Sequence, residues 1–263
     1  MELSRRAELV ATSHADDLAL RVLADVAQIT QGEDARIVGG HMTALLLTAF
    51  PVAGVPARRT RDADAAITTE LAGSGVLHDR LLALGYTDTA GNHYEREVPE
   101  LADPDGPPSF LQVDLLVPSF NGRFAPRRHG GRIFDAAPGL EPALLTPPIL
   151  IHTGATLRDG TVLEFTVAVP PVEYAVVIKA IAYGARRAAR DAEDLYRLLA
   201  IATAYPPQEI GGWRLDGDDL SGSRRDAAAH LHALARGLRA RTDVDVPIAE
   251  MAALIADRVS FAR

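Results

Sequence analysis

Apolar and polar residues follow two different patterns along the chain, and the pattern changes near Pro170. Before that point, short apolar runs predict strands, and they alternate with amphipathic segments that predict helices. The strand predictions are "ARIV", "HYEREV", "SFLQVDLLVPS" and "TVLEFTVAV"; the helix predictions are "MTALLLTAF", "SGVLHDRLLALGY" and one or two helices between Leu3 and Gln28. After Pro170, "VEYAVVIKAIAYGARRAARDAEDLYRLLAIATAY" predicts one long helix with prolines at its start, and two more helical segments follow.

This order of elements predicts an α/β (α+β) fold, in which a mixed sheet with flanking helices is followed by a helical domain. We expect the boundary near Pro170, so that residues 1–168 form the α/β domain with its N-terminal helices and residues 169–263 form the helical domain. The segment from Asn121 to Pro148 is rich in glycine, proline and arginine, and it is predicted to form loops.

Composition narrows the class of protein. Of the 263 residues, 48% are apolar and 24% are charged, which is ordinary for a globular protein. The sequence contains no apolar run of the roughly 20 residues that cross a bilayer, and its N-terminus lacks the apolar core of a signal peptide. With no cysteine, disulfides and thiolate chemistry are excluded, and we expect a cytoplasmic protein without a membrane partner. The net charge of −8 argues against a protein that binds nucleic acid over its whole surface but leaves local basic patches open.

Two aspartates stand two residues apart in "RTRDADAAIT". On a strand, Asp62 and Asp64 would present their carboxylates on one face about 6.6 Å apart, with Ala63 and Ala65 on the other. Like charges this close repel unless a cation lies between them, and Mg²⁺ or Mn²⁺ takes carboxylate oxygens readily. A solvated edge strand would also account for such a pair.

A third aspartate strengthens the metal hypothesis. Asp114 lies in "FLQVDLLVPS", whose apolar neighbours predict a central strand buried on both faces. An ionised carboxylate is costly there unless it is paired or coordinated. If this strand lies beside Asp62 and Asp64, the three carboxylates form a metal site suited to phosphoryl transfer. Capping by backbone N–H groups or one arginine is the alternative.

A double glycine precedes the acids by about twenty residues. Gly39 and Gly40 open a predicted helix, and a glycine turn at a helix N-terminus lets backbone N–H groups approach phosphate. Turns require glycine for other reasons too, so the pair gains meaning only together with the carboxylates.

These motifs together resemble a nucleotidyltransferase-fold protein, and within that superfamily the AbiEii-like family of type IV toxin–antitoxin toxins. The resemblance covers residues 37 to about 199. It depends on "IVGG", on Arg58, Thr60 and the two aspartates of "RRTRDAD", on "LQVDLLV", and on Lys179 in the long helix, which is followed by basic residues and Asp191.

The resemblance implies a polymerase-β-like mixed sheet and a set of roles. Asp62 and Asp64 would bind the metals, Asp114 would act as third ligand or base, and Lys179 would grip the phosphates of a nucleoside triphosphate (NTP). Asp191 would orient Lys179 or an arginine, because both are predicted to lie on one helix. The acceptor would be tRNA, and a cognate antitoxin protein would restrain the enzyme.

The chain departs from the family after the double glycine. The family usually has Ser or Thr there to touch phosphate, whereas this chain has His41, with Thr43 two residues on. Either His41 donates a hydrogen bond to phosphate in place of the hydroxyl, or phosphate is bound differently than in the family.

Two groups of arginines are candidates for binding an acceptor. Arg127 and Arg128 lie in the predicted loop after Asp114, and Arg186, Arg187 and Arg190 lie on the predicted Lys179 helix. Solvated surface and structural ion pairs would explain them equally well.

The leading hypothesis is a Mg²⁺-dependent nucleotidyltransferase acting on tRNA. One alternative keeps the chemistry but changes the acceptor to a small molecule, such as an antibiotic, or to a protein. A second is a non-catalytic module of the same fold that binds a nucleotide or a partner.

Overall fold

The described part of the chain is residues 3–58, 60–101, 108–238 and 243–261 of a computed structural model. Its helices are His14–Ile29 (α1), Gly39–Ala49 (α2), Thr69–Ser74 (α3), Val76–Ala83 (α4), Leu140–Leu145 (α5), Val172–Arg186 (α6), Ala189–Ala204 (α7), Gly222–Gly237 (α8) and Ile248–Arg258 (α9). Its strands are Leu3–Val10 (β1), Ala35–Ile37 (β2), Ala63–Ile67 (β3), Thr87–Ala90 (β4), His93–Glu97 (β5), Phe110–Pro118 (β6), Ala125–His129 (β7), Arg132–Ala137 (β8), Ile149–Thr156 (β9) and Val162–Val169 (β10). The predicted α/β class, a mixed sheet followed by helices, is confirmed.

Two sheets organise the first two thirds of the chain. The larger one has the strand order β2-β3-β6-β5-β4, and β8 extends it by pairing with both β6 and β7. Strand β6 runs parallel to β3 and β8 and antiparallel to β5, so it lies at the centre of a mixed sheet. The smaller sheet has the order β1-β9-β10.

The helix predicted at the N-terminus is wrong for residues 3–10, which form β1. Side chains there alternate between outside and inside, with Ala7 buried and Arg6 and Glu8 exposed, and this is the period of a strand. The strand pairs in parallel with β9 from Leu3↔Ile149 to Val10↔Thr156, a partner that lies almost 150 residues away along the chain. Helix α1 begins only after this strand, at a capping box made by Ser13 and Asp16.

The loops predicted between Asn121 and Pro148 are also wrong in part. Residues 125–137 form the hairpin β7–β8, and α5 follows it. The hairpin reverses at Gly130 and Gly131, which both have positive φ angles, as a tight turn requires. Arg127 and Arg128 therefore lie on a strand and are exposed there.

The long predicted helix is two helices. α6 ends at Arg186, Arg187 adopts the left-handed conformation with a φ of 53°, and α7 begins at Ala189. Asp191 and Arg190 therefore lie on α7. The sequence predicted them on the helix that carries Lys179, and that prediction is wrong. Because the chain turns back at Arg187, α7 packs against α6 and brings its acidic residues to Lys179.

One apolar cluster connects the sheet with the C-terminal helices. It includes Leu46 of α2, Val113 of β6, Val177 of α6 and Leu231 of α8, all of which are fully buried. Burial of a side chain of this size contributes about 1.5–3 kcal/mol to folding. The division at Pro170 stays a prediction, and the two predicted parts share this core.

Candidate active site

The aspartates Asp64 and Asp114 lie side by side on the open face of the larger sheet. Strands β3 and β6 are parallel, and Asp64 pairs with Asp114 in the register. Neighbouring strands lie about 4.8 Å apart, and paired residues point to the same face. The parallel pairing of β3 and β6 therefore brings these two carboxylates next to each other, as the sequence analysis expected.

Asp62 stands at the entrance to the same strand. It directly precedes β3, which begins at Ala63, and Ala63 and Ala65 are fully buried on the opposite face, as predicted. The hydroxyl of Thr60 lies 3.5 Å from Asp62 Oδ1. Thr60, Asp62 and Asp64 therefore follow one another along the edge of the site.

Asp114 is less buried than the sequence predicted. Leu111, Val113 and Leu115 are buried on one face of β6, whereas Gln112 and Asp114 on the other face are only partly covered. The Asp114 side chain is 27% exposed. The expected burial on both faces is wrong, because no layer of the described structure covers the second face completely. That open face gives a substrate access to the carboxylate.

The double glycine makes room for the acidic strand. Gly39 has a φ of +65°, and a Cβ atom on it would lie 2.7 Å from Asp64 Cγ, and closer still to Oδ2. A Cβ on Gly40 would lie 2.8 Å from Thr60 Cβ. The backbone N–H of Val38 donates to the Asp64 carbonyl at 2.9 Å, which fixes this approach. Both glycines are therefore required by the contact between the start of α2 and the acidic segment.

The carboxylates carry excess negative charge. Burial, together with the charges of Asp114 and Asp62, raises the pKa of Asp64 to about 7. Lys179 and Arg186 act in the opposite direction without overcoming this effect. A cation among these oxygens would relieve the repulsion, and hard oxygen donors are what Mg²⁺ and Mn²⁺ prefer.

His93 contacts the third carboxylate and was not predicted. It pairs with Asp114 in the antiparallel register of β5 and β6, and its Nδ1 lies 2.7 Å from Asp114 Oδ1. Its Nε2 lies 3.1 Å from Glu95 Oε1, which also accepts a hydrogen bond from Gln112 Nε2 at 2.7 Å. Burial lowers the pKa of His93, but the hydrogen bonds to both carboxylates raise it overall. The alternation in "HYERE" places His93 and Glu95 on one face, and this signal could have identified them.

Lys179 lies in a buried ion-pair cluster. Its side chain is 5% exposed, and its Nζ lies 2.7 Å from Asp194 Oδ2 and 3.5 Å from Asp191 Oδ1. Arg186 forks onto Asp191 with distances of 2.5 and 2.7 Å. Arg58 forks onto Asp194 at 3.3 and 3.2 Å. The predicted pairing of Asp191 with Lys179 and an arginine is found, although across two helices.

Arg186 is the most exposed of the three cations in this cluster, since Arg58 is 26% exposed and Lys179 is 5% exposed. Half of its side chain is exposed, and it lowers the pKa of Asp64 by its charge. Arg187 lies over the Tyr183 ring at 5.6 Å, and Arg190 is exposed on α7. These three arginines lie around the turn between α6 and α7, whereas Arg127 and Arg128 lie on β7.

His41 and Thr43 are both buried on α2. His41 is 5% exposed, and burial lowers its pKa to about 4, so the imidazole is neutral at pH 7. Within the described ranges, His41 Nε2 and Thr43 Oγ1 are buried without a hydrogen-bond partner.

Metal binding at these residues stays a prediction. Among the residues that the structure describes, no three His, Asp or Glu side chains are already arranged around a common point that could hold a metal ion. The chemistry of the donors and the raised pKa of Asp64 fit a divalent cation. Across the same ranges, the helices are all too short or too polar to traverse a bilayer.

Comparisons with known proteins give little that bears on activity. The chain matches no protein-family model and no curated protein. Among solved structures it is similar to an antigenic nucleotidyltransferase-like protein from Paracoccidioides brasiliensis, with 14% identity over 93% of this chain and 94% of that one and a TM-score of 0.47. A likeness this weak carries no argument about function, and the AbiEii-like resemblance stays a prediction.

Proposed function

We propose that the protein is a metal-dependent nucleotidyltransferase, which moves a nucleoside monophosphate from an NTP to a hydroxyl group and releases pyrophosphate. The proposal rests on one observation above all: Asp64 and Asp114 are register partners on an open sheet face, and Asp64 packs on Gly39 at the start of α2. This places paired carboxylates next to a helix N-terminus, where backbone N–H groups favour phosphate.

In this proposal, different residues bind the metal, the phosphates and the acceptor. Asp62, Asp64 and Asp114 would hold Mg²⁺ or Mn²⁺, which when bound neutralises charge on phosphate oxygens. Backbone N–H groups of Gly39 and Gly40 bind the triphosphate. The acceptor oxygen bonds to the α-phosphorus, the bond from that phosphorus to the bridging oxygen breaks, and pyrophosphate leaves. Asp114 takes the proton of the acceptor hydroxyl.

The cation that meets the phosphates in this proposal is Arg186. Its half-exposed guanidinium is oriented by Asp191 and lies close enough to Asp64 to influence its pKa. A planar guanidinium suits phosphate oxygens. The Lys179 ammonium is buried among two carboxylates, so its role is to neutralise them and thereby to support Arg186.

The open sheet face beside Asp114 supports a large acceptor. The register places Ile133 on the same face as Asp114, through the pairing of Leu116 with Asp135, and Arg128 is the partner of Ile133. Ile133 and Arg128 are exposed on β8 and β7, one and two strands from Asp114, so this face offers an apolar and a cationic side chain beside the exposed carboxylate of Asp135. We propose tRNA as the acceptor and a cognate antitoxin protein as the restraint.

The experiment follows a label from the NTP. Purified protein is incubated with Mg²⁺, each α-labelled NTP in turn and total tRNA. Asp62→Asn tests the site, and Asp226→Asn is the matched control, because Asp226 is an exposed carboxylate on α8, outside the sheet that carries the acids. Labelled tRNA with the native protein and with Asp226→Asn, but not with Asp62→Asn, is the expected result.

Other outcomes separate the alternatives. Label that stays on the protein indicates modification of itself or of a protein partner. Label transferred only to added small hydroxyl compounds, such as aminoglycosides, indicates a small-molecule transferase. No release of pyrophosphate with any NTP and acceptor overturns the proposal in favour of a binding module.

A further inference from the structure

A cavity of about 150 Å³ adjoins the acidic segment and takes no part in the chemistry described above. It lies between β1, α1, α2 and the segment that leads into β3. Six of its eleven lining residues are apolar, among them Leu20 and Ala44, and five are polar or charged: Glu8, His41, Thr48, Arg58 and Thr60. An apolar wall with several convergent polar groups is typical of a ligand site.

One residue of the cavity wall has a buried polar atom without a partner. His41 is 5% exposed, and its Nε2 has no hydrogen-bond partner among the described residues. A buried polar atom without a partner destabilises the protein, so a ligand that bonds to it recovers that free energy in addition to its own contacts. A cavity of about 150 Å³ is large enough to take a six-membered ring.

The position of the cavity indicates which ring. Thr60 lines it, and the same Thr60 contacts Gly40 at the proposed phosphate turn and Asp62 at the proposed metal site. A molecule whose phosphates lie at Gly40 therefore has its other end within reach of the cavity.

We infer that this cavity receives the heterocyclic base of the nucleotide, with His41 Nε2 bonded to a ring nitrogen or an exocyclic group of that base. This inference rests on the proposed function. It also explains why the residue after the double glycine is a histidine: its side chain faces the base cavity rather than the phosphates.

The test compares ligands with and without a base. Calorimetry in Mg²⁺ measures the affinity for tripolyphosphate and for α,β-methylene nucleoside triphosphates with each of the four bases. Ala44→Leu fills the cavity from a partly exposed helix position, and His41→Leu removes the nitrogen. Ala24→Leu is the matched control, because Ala24 is a partly exposed helix position on α1 that does not line this cavity.

In the native protein and in Ala24→Leu, we expect at least one nucleotide analogue to bind about tenfold more tightly than tripolyphosphate. In Ala44→Leu and His41→Leu this difference should disappear while the affinity for tripolyphosphate is unchanged. If the native protein binds tripolyphosphate and the analogues equally, or if the variants keep the difference, the base cavity is refuted and the phosphate site stands. If the native protein binds neither ligand, the proposed function fails as well.

A second measurement covers the case in which a variant does not fold. Leu20 lines the cavity, so saturation of the protein methyl groups should transfer to the base protons of an analogue bound to the unmodified protein. Transfer that reaches the ribose protons but not the base protons overturns the inference.

Discussion

Replacing Gly39 by alanine tests the geometry on which the proposed site depends. The new Cβ would lie 2.7 Å from Asp64 Cγ, inside van der Waals contact, and Gly39 has a φ of +65°. The left-handed conformation costs a non-glycine residue about 1–2 kcal/mol, and overpacking adds about 1–3 kcal/mol. We therefore expect Gly39→Ala to lower the free energy of unfolding by about 2–5 kcal/mol.

Gly32 provides a matched control for the free-energy cost of placing a non-glycine residue in the left-handed conformation. It has a φ of +80°, and nothing lies within 4 Å of a Cβ placed on it. Gly32→Ala should therefore lose only the conformational part, about 1–2 kcal/mol. The difference between the two variants measures the contact with Asp64.

The measurement is urea denaturation without metal, followed by a double-mutant cycle. Replacing Asp64 by alanine in the Gly39→Ala background removes Oδ2 and Cγ, the two atoms closest to the new Cβ, and should restore about 1–3 kcal/mol. Saturating Mg²⁺ should stabilise the native protein, by about 2.7 kcal/mol at a hundred times its Kd, and should not stabilise Gly39→Ala. Equal losses in Gly39→Ala and Gly32→Ala, with no coupling to Asp64, would refute the packing argument.

Three further results are expected. Lys179→Met leaves two buried carboxylates with one cation fewer, so urea denaturation should show a free energy of unfolding lower by about 3 kcal/mol. A decrease no larger than that of a surface substitution contradicts the buried cluster. Because the pKa of Asp64 is raised to about 7, the metal-free protein should lose stability relative to Asp64→Asn as the pH rises from about 4 to 7. Its Mg²⁺ affinity should weaken about tenfold per pH unit below 7, because protons compete for the carboxylate. Denaturation and calorimetry that show neither trend contradict the raised pKa. His93→Ala should lower turnover about 10- to 100-fold, because Asp114 loses the hydrogen bond that positions it. His93→Asn should retain most of the turnover, because its amide can replace Nδ1. Equal turnover in the two variants would show that His93 does not position the carboxylate.

The strand β6 and the acidic segment could be predicted because their signals are local. Apolar runs of strand length, the helix after the double glycine and the spacing of Asp62 and Asp64 depend on neighbouring residues only. Gly39 could be identified as special for the same reason. Its actual partner, Asp64, could not, since that contact joins residues 25 positions apart.

The errors occur where a distant partner decides the structure. Residues 3–10 contain enough leucine and valine to suggest a helix, and the pairing with β9 makes them a strand. The arginine-rich segment resembles a loop in composition, and β6 makes it a hairpin. The break at Arg187 has no proline, and the nearest glycine, Gly184, lies inside the last turn of α6.

The sequence by itself therefore determined the mixed α/β class, the acidic strand and the glycine turn, because short-range periodicity and steric requirements are written in consecutive residues. Only the tertiary structure decided that His93 contacts Asp114, that Lys179 is neutralised by two carboxylates from another helix, and that His41 faces a cavity. These contacts depend on strand register and helix packing, which the whole chain sets by burying one shared core.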